Sequence, residues 1–85
     1  MLEIVKQGRS FIVREEGNYL LESKSGNLLK IAQFLIEERQ EVVEDHIFSG
    51  NSIHFDLPRD KEEKLRELIQ QEFRKENNQF YVDFD

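Results

Sequence analysis

Asn27–Arg39, NLLKIAQFLIEER, is the most apolar window of the chain, and its reading decides the fold. At helical pitch Leu28, Ile31, Ala32, Leu35 and Ile36 share one broad face, with Leu29 flanking it and Phe34 at its far margin. A stripe that wide suits a helix lying across a sheet. The segments on either side read as strands, or as a second helix able to cover the same sheet.

Upstream, Leu2 to Lys6 reads as a first strand, Arg9 to Glu16 as a second and Tyr19 to Lys24 as a third. A three-residue loop, Glu16-Gly17-Asn18, pairs Glu15 with Tyr19, Val13 with Leu21 and Phe11 with Ser23. It gathers Phe11, Val13, Tyr19 and Leu21 on one face, whereas a one-residue slip would mix the faces. Ile12 and Leu20 are left on the outer face. Ser25 or Asn27 can cap the helix that follows.

Downstream, Glu41 to Phe48 and Ile53 to Leu57 read as a second hairpin around Gly50-Asn51. This register sets Phe48 against Ile53, His46 against Phe55 and Asp45 against Asp56, and gathers Val42, Phe48, Ile53, Phe55 and Leu57 on one face, with Glu44 and His46 among them. Pro58 ends the strand. Asp60 with Glu63 resembles a capping box and opens a second helix, whose apolar face is Leu65, Leu68, Ile69 and Phe73. Asn77-Asn78 ends it, and the alternation from Gln79 to Phe84 predicts a short final strand. The expected fold is α+β, in the order β-β-β-α-β-β-α-β. An antiparallel sheet of two hairpins plus short terminal strands would carry two helices on one face.

Eighty-five residues make one domain, 1–85. The absence of cysteine rules out a disulfide framework and a Cys-based zinc site. No stretch reaches the ~20 apolar residues of a membrane span, and the N-terminus does not read as a signal peptide, so a cytoplasmic protein is expected. Twelve basic and 18 acidic residues give a net charge of −6. Residues 1–36 are close to neutral and 58–76 balance, so the negative charge concentrates between Glu37 and Leu57 and at the C-terminal end, with Asp83 and Asp85. That distribution argues against a surface tracking nucleic-acid phosphates.

Ser52, His54 and Asp56 alternate along one strand, with Asp45 expected opposite Asp56. This is the nearest approach to a catalytic or metal-binding set. A triad needs tighter reach and an oxyanion site, so no catalytic residues, metal or cofactor are expected. His46 falls among the apolar positions, where it would donate a hydrogen bond at a sheet edge. Ser25-Gly26-Asn27, between Lys24 and Lys30, lacks the spacing of a phosphate-binding loop.

The acidic run Glu37, Glu38, Glu41, Glu44 and Asp45 and the apolar pair Ile12 and Leu20 are the candidate partner-binding residues. The function expected is a small acidic, non-enzymatic regulator or inhibitor that binds another protein, of the kind a phage or mobile element carries. A homodimer through the sheet face or a sheet edge is the self-association such surfaces allow. The alternatives are a nucleic-acid module using Lys6, Arg9, Arg14 and Lys24, and a hydrolase or metal-dependent enzyme centred on His54.

Overall fold

The computed structural model describes residues 1–24 and 27–81, with side chains to Glu76. Its elements are β1 (Leu2–Gln7), β2 (Ser10–Glu15), β3 (Asn18–Lys24), α1 (Leu28–Glu38), α2 (Gln40–Ser49), β4 (Ile53–Asp56) and α3 (Arg59–Tyr81). The fold is α+β with a four-stranded mixed sheet ordered β3-β2-β1-β4. β1 and β3 run antiparallel to β2, while β4 runs parallel to β1.

The chain path explains the parallel strand. The β2–β3 turn marks an upper end of the sheet, level with Leu2, Glu15 and Ile53. The β1–β2 turn and Lys24 mark the lower end. α1 starts low, where Asn27 N–H donates to the Lys24 carbonyl at 3.2 Å. The Asn27 side chain caps it by accepting from Lys30 N–H at 3.2 Å. It ends high, where Arg39 Nε comes within 3.4 Å of Glu15 Oε1. α2 then crosses the upper end, so β4 enters from the top beside the start of β1.

One apolar cluster joins a single sheet face to all three helices. Leu2, Ile4, Phe11, Val13 and Ile53 meet the α1 residues Leu28, Ile31, Ala32, Leu35 and Ile36, together with Val43, Leu65 and Ile69. The wide stripe of α1 is thus the centre of the core, as its width predicts.

The expected antiparallel sheet and second hairpin are corrected. Gln40–Ser49 is a helix, and the described residues form three helices rather than two. Val43 and His46, three residues apart, are its buried positions. Gly50, expected in a hairpin turn, adopts φ 82° and ends α2 by donating its N–H to the His46 carbonyl at 2.7 Å. β4 therefore pairs with β1 and not with residues 41–48. Asp45 does not face Asp56, whose partner is Val5. α3 also runs on through Asn77-Asn78 to Tyr81, so no strand begins at Gln79. Residues 82–84 of the expected strand, and Ser25 as a cap, lie outside the described residues.

The first hairpin keeps its inner register by a different route. Val13 faces Leu21 and Phe11 faces Ser23 as expected, but Glu15 pairs with Asn18 and Arg14 with Tyr19. The turn is the two residues Glu16 (φ 52°) and Gly17 (φ 83°), both left-handed, the geometry that matches strand twist in a two-residue hairpin. A bulge at Leu20 absorbs the extra residue. Tyr19 therefore moves to the outer face, where it is 59% exposed, instead of entering the core.

Candidate functional site

α2 is built on a sharp junction. Arg39 both ends α1 and precedes α2, with its N–H donating to the Leu35 carbonyl at 2.8 Å and its carbonyl accepting from Val43 N–H at 3.1 Å. Its guanidinium bonds the Glu38 carbonyl at 2.7 Å. The junction points α2 away from α1 and sorts its residues into two faces. Val43 and His46 are buried and Val42 and Ile47 half-buried against the core.

The opposite face carries Glu41, Glu44, Asp45 and Phe48, the i, i+3, i+4, i+7 positions of one helical stripe, all exposed. Phe48 is 85% exposed, the most open large apolar side chain described. The negative C-terminal end of the helix lies beside it, so carboxylates and helix dipole share one sign. Ser49 Oγ donates to the Asp45 carbonyl at 2.7 Å, and Ser52 Oγ donates to the Asp45 carboxylate. Glu37 and Glu38, at the end of α1, are exposed nearby in sequence. Glu37 lines a separate groove of about 340 Å3 with Gln33, Ile36, Glu72, Lys75 and Glu76.

Beneath this face lies a polar-aromatic cluster. The His46 ring packs at a tilt against Phe55, centroids 5.6 Å apart. The Arg66 guanidinium lies 4.5 Å from the centre of the Phe55 ring, and Arg66 Nε donates to Glu62 at 3.0 Å. His46 lies in α2, which corrects its expected place at a sheet edge, and its Nδ1 is buried without a hydrogen-bond partner. Burial first, and the Arg66 charge second, hold the imidazole below its ordinary value of 6.5.

The apolar pair on the sheet is not an exposed patch. Ile12 is only 2% exposed and Val5, on the same outer face, 7%. Leu20 is the bulged residue, half-buried against the core. Tyr19 explains much of the cover. Its hydroxyl donates to Gln7 at 2.9 Å, and because Tyr19 sits beside Arg14 and Gln7 beside Ser10, the ring runs lengthwise past Ile12. Ser10 bonds Glu22 at 3.1 Å, and Arg14 lies 3.5 Å from Glu3, completing a polar rim.

His54 and Asp56 share the outer face of β4, while Ser52 is drawn off it. Ser52 turns to Asp45, while His54 stands exposed across from Glu3 on the outer sheet face. Among the described residues no group of three or more His, Asp or Glu side chains is placed to hold a metal ion. No helix among them is long and apolar enough to cross a membrane.

The cations gather at the other end. Lys6, Arg9 and Lys24 surround the β1–β2 turn, and Lys30 follows the α1 cap. A groove of about 490 Å3 lies there between the starts of α1 and α3, lined by Leu28, Leu29, Asp60, Lys61, Lys64 and Leu68. Phe48 is the residue that the strand reading placed on the core side. Its helical spacing from Glu41, Glu44 and Asp45, with Gly50 two residues on, was the signal for its true position. Comparison of the chain with protein-family models, with curated proteins and with solved structures gives no match.

Proposed function

We propose that this is a small non-enzymatic protein that acts by binding another protein, as a regulator or inhibitor, through the outer face of α2. The supporting observation is Phe48. An aromatic ring left 85% in water at the end of an ordered helix gains nothing for folding, and aromatic anchors inside a polar rim carry binding energy. Glu41, Glu44 and Asp45 supply that rim and give it one sign. Glu37 and Glu38 extend the acidic zone toward α1.

The other two readings have less behind them. The four cations of a nucleic-acid surface are divided, with Arg14 near the upper end beside Glu3 and Lys6, Arg9 and Lys24 at the lower end. An enzyme centred on His54 would draw on Ser52, whose hydroxyl instead donates to the Asp45 carboxylate, and its register partner across the sheet is Glu3.

The test is a photo-crosslinking residue placed at position 48, with Gln70 on the exposed side of α3 as the control site. A discrete adduct at 48, absent at 70 and competed by unlabelled protein, supports the reading. It should be rebuilt from the purified partner and lost in Phe48→Ala. No adduct, together with salt-dependent oligonucleotide binding by the same protein, would replace it with the nucleic-acid reading.

A further inference from the structure

We infer that, when no target is bound, the α2 face is occupied by a second copy of this chain, bound head to tail, so that the protein self-assembles through a knob and a groove of opposite charge. The inference rests on the α2 face being the docking surface proposed above.

The knob is Phe48 with Glu41, Glu44 and Asp45 beside it, on the upper end of the molecule. The groove opens between the first turns of α1 and α3, at the lower end. Its floor is apolar, from Leu28, Leu29 and Leu68, and Leu29 is 42% exposed. Lys61 and Lys64 also line it, with Asp60 as the one acidic lining residue. Lys24 and Lys30 add positive charge close by in the chain. Both helices present their positive N-terminal ends there. At about 490 Å3 the groove has the size of a small-ligand cleft and takes one phenyl ring with room to spare.

The knob cannot enter its own groove. α1 separates them by its whole length, 11 residues or about 16 Å. The contact must therefore form between molecules. The contact joins two different surfaces, so its head-to-tail repeat builds an open chain or a ring. The whole-molecule charge of −6 opposes association at long range, whereas the facing patches are of opposite sign and act within a Debye length. One ring in one groove is far smaller than a standard interface, so the association is weak and grows with concentration.

Sedimentation velocity from about 20 μM to about 1 mM, at low and at high salt, reads it directly. The expected result is a rising weight-average mass that added salt reduces. Phe48→Ala and the pair Lys61→Glu with Lys64→Glu should each weaken association about tenfold or more. All three positions are at least partly exposed, and circular dichroism checks that the variants fold.

The decisive arm is an equimolar mixture of the two variants. One retains the groove and the other the knob, so the mixture should stop at a 1:1 pair, whereas wild type should grow past the dimer, which a reciprocal two-fold pair would not do. A wild type that stays monomeric at about 1 mM, association that strengthens with salt, or variants that associate like wild type would each overturn the inference. A monomeric wild type whose position-48 crosslink to a different protein persists would sink the self-assembly while leaving the proposed function intact. Loss of both would remove both.

Discussion

Acidification between pH 6.5 and about 5 is expected to loosen the hold of α2 on the core, because His46 is the titratable group packed beneath it. The side chain is 6% exposed, its Nδ1 makes no hydrogen bond, and it faces Phe55 of β4 and the Arg66–Glu62 pair of α3. Burial and Arg66 favour the neutral ring, so the folded protein resists the proton that the unfolded chain accepts near pH 6.5. A histidine depressed in this way costs stability as pH falls below its unfolded value. The loss continues until the pH reaches the folded value. The slope for one proton is at most about 1.4 kcal/mol per pH unit. From pH 6.5 to about 5 the loss is therefore at most about 2 kcal/mol.

Urea unfolding followed by circular dichroism at about pH 7 and about pH 5, for wild type and His46→Leu, isolates the effect. The surface carboxylates are common to both proteins and cancel in the comparison. Glu16, held below 4.5 chiefly by its hydrogen bond from the Met1 ammonium, gives up its contribution only below this window. The variant should lose less stability than wild type between the two pH values. An equal loss in both would refute the assignment to His46, whatever the absolute stability of the variant.

Leu35→Ala, at a fully buried position in the centre of α1, should cost about 3–5 kcal/mol, read as a fall in the urea midpoint. Gly50→Ala should cost about 1 kcal/mol, because its φ of 82° is left-handed and a Cβ there meets no atom within 4 Å, so the penalty is backbone strain alone. Tyr19→Ser should uncover Ile12 and raise binding of an apolar dye while leaving the far-ultraviolet dichroism unchanged; no change in dye binding would mean that other side chains cover Ile12. Amide hydrogens of α2 should exchange faster than those of α1, since α2 buries two side chains and α1 five.

The sequence was clear where one periodicity had no rival. The stripe from Leu28 to Ile36 could only be helical, and all five of its positions lie in the core. Gln40–Ser49 supported two periods. Read as a strand, it placed Glu44 and His46 among apolar residues, a conflict that the helix removes by turning Glu44 out and leaving His46 beside Val43. Gly50 allowed the error because a left-handed glycine serves a hairpin and a helix end equally well. The first hairpin failed in a subtler way. Its inner pairs follow from the apolar residues alone, but a two-residue turn compensated by a bulge pairs them as well as a longer loop does. Only the fate of Tyr19 distinguishes the two, and alternation alone predicted it incorrectly.

The same ambiguity hid the proposed docking face. The acidic positions from Glu37 to Asp45 were visible as charge, yet charge on a hairpin edge offers no anchor. Folding the segment as a helix brings a ring to the end of the acidic stripe and sets both on an element that buries Val43 and His46 fully and Val42 and Ile47 in part. A helix so lightly fixed contributes less to the core than α1, so its outer face can be shaped for a partner at little cost to folding. That light anchoring also ties the two ends of the argument together. Protonating His46 disturbs the inner face of the helix whose outer face presents Phe48, so whatever Phe48 holds should be held less firmly in acid.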